Sequence, residues 1–557
     1  MRVDSTQNWA FASRDLFKAK GCEHCLRLLM AVKAGVPSVV ERVAPYEEDL
    51  NSKLPIIQGN QREQNVFRQL RASLPDGDFV EFERATAEDT LDAMRRLVPV
   101  IAQGYFERTI NGYFWSGYAD LLVLEGYEVY QATDGLIAAR KAGEVPAVPR
   151  YKAWDVKNSS SGDVKYQIQL ASYLDALQEL GMASDEPIGI VLGFGKGVVE
   201  YDPAASLGVY REALAELTRI LDLTTPATIT ADFVETWACA KKSVCEDYYC
   251  DYPRLCKATR KENQVLELLP SMHFTHSPKF RGSGITNVVQ LAEFEAAPAV
   301  TGLDQKHVDR YWRAAKLIQL ERAGHTVILS KVAGVPALPE PTAEDLFFDV
   351  EWASPVDAEG EFVFMFGVVT ADEGFEVFIA KDPSEELQAF DRFLDFGLAL
   401  LERNPDMHIY HYHNPEPQKV RMLVKRYNGH RTDDAERLVA QMVDLKPVVT
   451  DALLPGSGSY SIKALEKYYQ ADAKLNRGGL VADGGDAMLQ YERFRVAEFE
   501  TGDSAAAAAI MNGIAAYNKD DCLSTKLLYD WLRSLNFAAA DELWYLTAGQ
   551  PPLIGSL

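Results

Sequence analysis

The first half of the chain contains three acidic residues and one lysine in an order that suits metal-dependent chemistry. Asp120 ends a Gly117-x-x-Asp stretch, and Asp155 lies two positions before Lys157 on a predicted strand. Because side chains alternate along a strand, Asp155 and Lys157 face the same side. A carboxylate beside a cation can hold a divalent metal and orient water. Glu63, on a preceding helix, is expected to complete the metal shell.

A predicted helix after this strand adds two polar side chains. Gln169 and Tyr173 are four positions apart and therefore share one helix face. We expect them to hold substrate or Lys157. An Asp-x-Lys triplet alone is common in proteins, so the prediction depends on the ordered set and not on any single member.

The second half contains another acidic set. Asp349 and Glu351 alternate on an apolar strand, so both carboxylates face one side, which can hold a pair of metals. Glu416 lies at the start of a predicted helix. Tyr517 and Asp521 share a helix face, and a tyrosine hydroxyl in that position can orient an attacking water.

The elements that must position these residues are predicted from hydrophobic periodicity. In the first half, helices are predicted over 60–73 and 166–180, and strands over 113–124, 128–132, 150–156, 188–194 and 197–201. In the second half, strands are predicted over 346–350, 362–369, 375–379 and 408–412, and helices over 307–323, 385–401 and 506–535. Both halves are therefore expected to be mixed α/β structures.

The bulk composition places the chain among globular proteins of several domains. It has 557 residues, 47% hydrophobic and 25% charged, which is more than one ordinary core accommodates. We found neither an apolar run of bilayer length nor the apolar stretch of a signal peptide at the N-terminus. A cytoplasmic location with no membrane partner is therefore expected.

The net charge of −24 argues against a broad phosphate-binding surface. The basic residues do concentrate in two groups: Lys241, Lys242, Arg254, Lys257, Arg260 and Lys261 in one, and Lys306, Arg310, Arg313, Lys316 and Arg322 in the other. Taken singly, each group is more typical of a solvated helix face than of a binding site.

The seven cysteines are an odd number in a chain expected to be cytosolic, so a disulfide framework is not predicted. Two lie near the start and four are grouped much later: Cys22, Cys25, Cys239, Cys245, Cys250 and Cys256. Thiolates are the usual ligands of iron–sulfur clusters, and four of them also suit tetrahedral zinc.

The first motif set resembles the RecB-type nucleases of the PD-(D/E)xK superfamily, which include CRISPR-associated iron–sulfur exonucleases. The matching residues are Gly59-x-x-x-Glu63, Gly117-x-x-Asp120, Asp155-x-Lys157 and Gln169-x-x-x-Tyr173. The resemblance covers about residues 10–258. It implies a restriction-endonuclease-like fold and a DNA nuclease with Mg²⁺ or Mn²⁺ bound by Glu63, Asp120 and Asp155, near the carbonyl of Val156.

In several of these nucleases one early and three late cysteines hold a [4Fe–4S] cluster. Cys250 and Cys256 match the C-x5-C ending of that pattern. The resemblance implies the ligands Cys22, Cys245, Cys250 and Cys256. Cys245 lies four residues before Cys250 where the common pattern has two, so Cys25 and Cys239 remain alternative ligands, and Zn²⁺ remains the alternative metal.

The second motif set resembles the DEDD exonucleases with the RNase H-like fold. The resemblance implies divalent metal at Asp349, Glu351 and Asp521, with Tyr517 orienting water. Glu416 takes the place of the second-motif aspartate, as in RNase H-like domains fused to RecB-type nucleases, and Asn414 is the competing alignment. Residues 459–465 also resemble a stretch between these motifs.

Three parts are therefore predicted: a RecB-like nuclease over 1–258, a helical connector over 259–340 and an RNase H-like domain over 341–557. The connector's Gly284-Ile285-Thr286 resembles the entry of a helix–hairpin–helix unit, whose turn amides bind backbone phosphate. A plain helical spacer is the alternative reading.

From about residue 16 to 535 the chain resembles the bacterial family that joins these two nucleases. The resemblance implies cleavage of DNA, single-stranded or with free ends, by an exonuclease in repair, end processing or defence. The alternatives are a nucleic-acid-binding subunit with one or both centres inactive, and an RNA-directed exonuclease. The chain lacks a Gly-x-x-x-x-Gly-Lys-Ser/Thr phosphate loop, so a helicase, like other repair or defence partners, would be a separate protein.

Overall fold

The computed structural model divides the chain into two compact units, residues 1–259 and residues 260–355 with 361–557. The structure describes residues 1–46, 50–159, 161–193, 195–234, 245, 250–334, 338–355, 361–413, 415–470, 474–478, 481, 484–547, 552–555 and 557, with the backbone alone for 50–55 and 57. Within these ranges no helix combines the length and the hydropathy that a bilayer crossing requires.

The first unit contains ten strands and seven helices in its described ranges. The strands are β1 (Arg2–Val3), β2 (Trp9–Phe11), β3 (Phe79–Glu81), β4 (Val100–Ile110), β5 (Tyr113–Leu124), β6 (Tyr127–Gln131), β7 (Ile137–Lys141), β8 (Tyr151–Lys157), β9 (Ile188–Leu192) and β10 (Val198–Tyr201). The helices are α1 (Ser13–Gly21), α2 (Glu23–Lys33), α3 (Pro37–Val43), α4 (Leu50–Ser73), α5 (Ala87–Arg95), α6 (Val164–Glu179) and α7 (Pro203–Leu221). Helix α8 (Pro253–Glu262) spans the boundary between the units.

The long strand β5 organises a mixed eight-stranded sheet. It pairs antiparallel with β4 on one side and with β8 on the other, and its first residues pair parallel with β2. Beyond β8 the sheet continues with parallel β9 and antiparallel β10. Strands β6 and β7 form a separate hairpin. This order places β5 and β8, which carry the predicted acids, next to each other in the sheet.

Helices cover both faces of this sheet. Val66, Phe67 and Leu70 of α4 pack with Trp154 and other residues of one face, whereas α1, α2, α6 and α7 pack against the opposite face. Asp163 accepts a hydrogen bond from the Lys165 amide and so caps the start of α6, which satisfies an amide that the helix leaves unpaired.

The described part of the second unit contains nine strands and ten helices. Its strands are β11 (Thr326–Ser330), β12 (Leu346–Ala353), β13 (Phe362–Thr370), β14 (Phe375–Ile379), β15 (Ile409–His411), β16 (Met442–Asp444), β17 (Leu453–Pro455), β18 (Leu543–Leu546) and β19 (Leu553–Gly555). Its helices are α9 (Ser277–Gly282), α10 (Val288–Glu293), α11 (Gln305–Arg322), α12 (Glu386–Arg403), α13 (Pro415–Arg426), α14 (Thr432–Val439), α15 (Leu445–Ala452), α16 (Ile462–Leu465), α17 (Gly484–Arg495) and α18 (Ser504–Ser534).

Two sheets form in this unit. A five-stranded sheet has the order β14-β13-β12-β15-β16, antiparallel up to β12 and parallel beyond it. A second, antiparallel sheet has the order β17-β11-β18-β19. Strand β11 belongs to the predicted helical connector, so this segment also contributes a central strand. The three-part division of the chain stays a prediction.

Most of the predicted elements are confirmed, with shifts of a few residues at their ends. Strand β4 was missed because Gln103 and Gly104 interrupt its apolar pattern. Gln103 has a left-handed φ of 59°, and a Cβ on Gly104 would lie 2.8 Å from Cδ1 of Leu122. Helix α4 begins ten residues before the predicted start at residue 60. The prediction started too late because Pro55 and Gly59 have low helix propensity.

Leu543→Ala is expected to destabilise the second unit, because Leu543 is fully buried in the core that α10 and α11 form with β11. Large-to-small core substitutions cost about 2–5 kcal/mol, which urea unfolding would measure. The matched control is Leu553→Ala on the neighbouring strand, where the side chain is 69% exposed and the change should stay within about 0.5 kcal/mol. Equal midpoints for the two variants would contradict the role of β18 in this core.

Candidate active sites

In the first unit, β5 and β8 bring two acids and a lysine together. Asp155 is fully buried on β8, and its Oδ2 lies 2.5 Å from Nζ of Lys157. The same Nζ lies 3.9 Å from Oδ2 of Asp120 on β5. The Val156 amide donates to Asp120 Oδ2 at 2.9 Å, which fixes this carboxylate beside its neighbour. Both carboxylates thus face the Lys157 ammonium, Asp155 in a direct ion pair and Asp120 at the longer distance.

Glu63 approaches these acids from α4. Burial, and secondarily the charge of Asp155, raise the pKa of Glu63 to about 7. Gln103 donates to Glu63 Oε1 at 2.5 Å. The strand register on either side, in which Ala102 pairs with Leu121 and Gly104 with Ala119, places Gln103 opposite Asp120. Sequence reasoning missed Gln103, since the strand that carries it was not recognised.

Helix α6 carries the other two predicted residues. The Tyr173 hydroxyl donates to the carbonyl of Tyr118 at 2.5 Å, and a Cβ on Gly117 would lie 2.9 Å from the Tyr173 ring. Tyr173 therefore holds the strand that leads to Asp120, and Gly117 permits its close approach. Gln169 lines a cavity of about 410 Å³ together with Gly117 and Tyr173. Nζ of Lys157 lies 5.8 Å from the ring centre of Tyr166.

Members of both cysteine groups belong to the large core on one face of the first unit's sheet. Cys22, Cys25, Cys250 and Cys256 are buried in a single cluster, and Cys245 is buried as well. A hydrogen bond with Cys250, together with burial, raises the pKa of Cys25. Cys25 is thus in contact with one of the implied ligands. Cys239, Lys241 and Lys242 lie outside the described residues.

In the second unit, three acids converge. Ligand atoms of Asp349 and Glu351 on β12 and of Asp521 on α18 lie within 4.8 Å of one another. They are the one set of three possible metal ligands at that spacing in the described parts of the chain, so Glu63, Asp120 and Asp155 do not form such a set. Carboxylate oxygens suit Mg²⁺ and Mn²⁺. The residues present therefore fit a divalent metal at this position.

A close contact between β13 and α18 aligns this set. Asn518 Nδ2 donates to Asp349 Oδ2 at 2.8 Å. Gly367 pairs with Asp349 across the strands, and a Cβ at Gly367 would lie 1.6 Å from Oδ1 of Asn518. Only glycine leaves room for Asn518 here. Sequence reasoning assigned no role to Asn518, although it lies beside Tyr517.

Glu416 begins α13 and is almost fully buried, at 2% exposure. Its Oε2 lies 3.1 Å from Nδ1 of His411. It is near enough to Asp349 and Glu351 to raise the pKa of each, after larger contributions from burial and from the other acids. Glu416 therefore borders the three-acid set. The competing residue Asn414 lies outside the described residues.

Two cations that sequence reasoning did not assign face the same site. Lys463 Nζ donates to the Tyr517 hydroxyl at 3.0 Å. Arg477 Nη1 lies 2.5 Å from Oδ1 of Asp521, and its other amino group pairs with Glu466. Burial and the charge of Asp521 raise the pKa of Tyr517, so its hydroxyl stays protonated. Lys463 lies within the motif-like stretch 459–465, whereas Arg477 had no signal in the sequence.

Comparison with known proteins agrees with this geometry for one part of the chain. Residues 346–533 match the family model of the RNase H superfamily. No curated protein and no solved structure matches the chain significantly. The matched segment contains the five-stranded sheet, α18 and the three-acid set, and RNase H-like domains use divalent metals. Residues 346–533 are thus similar to the RNase H superfamily, and the acidic site within them is compatible with metal.

Metal binding at this site should depend on pH. Burial and Asp521 raise the pKa of Glu351 from 4.5 to about 8. Between these values the metal-free fold holds more protons than the unfolded chain, so its stability falls as pH rises. Metal competes with the proton; we therefore expect Mn²⁺ to raise the melting temperature more at the alkaline end of this window. The shift is about 2–4 °C for each kcal/mol of binding.

Thermal melting with and without MnCl₂ measures this linkage, and Glu351→Gln serves as the comparison because it removes the titrating carboxylate. A metal-induced shift of the same size at both ends of the window would contradict it.

Proposed function

We propose that the chain is a metal-dependent DNA nuclease with two phosphodiester-hydrolysing centres. The observation that carries the proposal is the convergence of Asp349, Glu351 and Asp521 within 4.8 Å, inside the segment that matches the RNase H superfamily. Exonucleolytic action in repair, end processing or defence, with a helicase as a separate protein, is part of the proposal and rests on the motif resemblance.

At the RNase H-like centre, Asp349, Glu351 and Asp521 would hold the divalent ions. Such ions, when bound, activate water and stabilise the charge of the transition state. The Tyr517 hydroxyl orients the water that attacks phosphorus. Lys463 holds that hydroxyl through a 3.0 Å hydrogen bond. Arg477, which pairs with Asp521, offers further donors to the phosphate.

At the first centre, whose acids do not lie within the 4.8 Å spacing of the second, Glu63, Asp120 and Asp155 would hold the metal and Lys157 would orient water. The support is the ion pair of Lys157 with the buried Asp155, and the influence of Asp155 on Glu63. Gln169 would contact the substrate, and Tyr173 would hold strand β5 in place. The assignment of DNA as substrate follows the RecB-type motif order, and RNA is the alternative.

We also propose that the cysteines of the first unit hold a [4Fe–4S] cluster. The support is the burial of Cys22, Cys25, Cys250 and Cys256 in the same core, the contact of Cys25 with Cys250, and the donor set of thiolates. Cys22, Cys245, Cys250 and Cys256 remain the proposed ligands. Because Cys25 contacts Cys250, it is the first alternative to Cys22.

A nuclease assay tests the two centres separately. Lys157→Ala and Asp349→Asn are expected each to abolish one activity, with a loss of about 100-fold or more, and the double variant to abolish both. The substrates are end-labelled single-stranded DNA, double-stranded DNA and RNA, with Mg²⁺ or Mn²⁺. Product lengths would show whether cleavage proceeds from an end.

The matched controls are Lys141→Ala and Asp530→Asn, which change exposed side chains of the same types. Single variants that cleave every substrate like the wild type would refute the catalytic assignments. Wild-type protein that binds nucleic acid but never cleaves it would instead support the binding-subunit alternative.

Anaerobic purification tests the cluster. We expect about four iron atoms per chain and a broad visible absorbance, both lost in Cys256→Ser. Comparing Cys22→Ser with Cys25→Ser identifies the early ligand, because only the true ligand should lower the iron content. The control is Cys522→Ser, in the other unit. One zinc and no iron per chain would contradict the cluster and favour zinc.

A further inference from the structure

Five cationic or titratable side chains cluster around α9 and α11 of the second unit: His273, His276, Lys279, His307 and Arg310, here called the basic patch. The ring centres of His273 and His276 are 5.3 Å apart, and those of His276 and His307 are 5.1 Å apart. Lys279 and Arg310 face the same ring closely enough to lower the pKa of His276, after the larger effects of burial and of the two histidines.

The hydrogen bonds of this patch leave its charge in place. Lys279 Nζ donates to the carbonyl of Gly302 at 2.6 Å, and Arg310 donates to the Tyr311 hydroxyl at 2.9 Å. Both acceptors are uncharged. Other basic residues of α11 are engaged differently, as Arg313 pairs with Asp541. One carboxylate adjoins the patch, because the pKa of Asp304 is lowered chiefly by a hydrogen bond from the Lys306 amide and also by His307. In a chain of net charge −24, Lys279 and Arg310 beside three histidines nevertheless favour an anionic ligand.

An exposed aromatic ring adjoins the patch. Phe274 is 75% exposed, and its ring centre lies 4.4 Å from that of His273. A solvated phenylalanine beside cations is the arrangement on which single-stranded nucleic acids bind, because bases stack on the ring while cations contact the phosphates. An acidic protein partner could also bind the cations, but it has no bases to stack on the Phe274 ring.

Two further lysines of this unit, Lys331 and Lys463, contact tyrosine hydroxyls. Burial lowers the pKa of Lys331 and the charge of Arg310 lowers it further, whereas Asp451 acts in the opposite direction. Burial raises the pKa of Tyr460, and Arg310 opposes that rise. Lys331 Nζ donates to the Tyr460 hydroxyl at 3.1 Å. Three residues further along is Lys463, which contacts Tyr517. Arg310 of the patch is thus electrostatically close to Lys331 and Tyr460, and Lys463 lies at the edge of the three-acid set.

We propose that the basic patch with Phe274 is a docking site for single-stranded nucleic acid, and that Lys331 and Lys463 guide the bound strand to the RNase H-like centre. This inference rests on the proposed nuclease function and adds to it the entry path of the substrate. The site lies outside both sets of predicted catalytic residues, and it gives the chain an affinity for a strand that does not depend on metal.

Fluorescence anisotropy of the full chain with labelled oligo-dT tests the proposal, in EDTA so that no cleavage occurs. Phe274→Ala is expected to raise Kd about tenfold through lost stacking. Lys279→Ala is expected to reduce the slope of log Kd against log salt concentration by about 0.7, the contribution of one phosphate contact on a single strand. A parallel series with oligo-U distinguishes DNA from RNA as the preferred strand.

Phe499→Ala and Lys425→Ala are the matched controls, since both residues are exposed on other surfaces of the same unit; neither should change Kd. The proposal is overturned if the patch variants bind like the wild type, if the controls lose as much affinity, or if the wild type does not bind either oligonucleotide. Loss of binding in Phe274→Ala together with absent cleavage in the wild type would support the patch and refute the nuclease function. Normal cleavage by the wild type, with binding unchanged in Phe274→Ala, would support the nuclease function and refute the patch.

Discussion

Repulsion between carboxylates that are buried or half-buried is the constraint around which the second unit is arranged. Asp349, Glu351 and Asp521 lie within 4.8 Å of one another, and burial with mutual repulsion raises the pKa of Asp349 well above its ordinary value. Like charges so placed are costly in a medium of low dielectric. The central position of β12, the Asn518 hydrogen bond and the glycine at 367 hold them there. Such an arrangement suits a site that binds cations.

The two centres offset this repulsion in different ways. In the first unit the compensating cation, Lys157, belongs to the same strand as Asp155 and pairs with it directly. In the second unit Lys463 and Arg477 come from a separate segment, and each contacts a different member of the site. The first arrangement follows from the alternation of one strand, whereas the second requires distant residues to fold together.

That difference explains how much the sequence could predict. The pairing of Asp155 with Lys157 and the shared helix face of Tyr517 and Asp521 are local consequences of strand and helix periodicity. By contrast, Gln103 lies opposite Asp120 on a strand whose pattern is broken by a left-handed residue and a glycine. Arg477 reaches Asp521 through tertiary packing that has no local pattern. The similarity of residues 346–533 to the RNase H superfamily was predictable by resemblance, whereas the pairing of β11 with β17 and β18 was not.

The position of β11 also bears on how the chain reaches its native state. Its two partners are supplied by residues 453–455 and 543–546, more than a hundred positions later in one case and more than two hundred in the other. Pairings over such separations require closure of long loops and slow the search for the native topology. The buried core around α9 to α11 comes from residues 266–329, and only Leu454 and Leu543 join it from later strands. One side of this core therefore stays open until β17 and β18 have been synthesised.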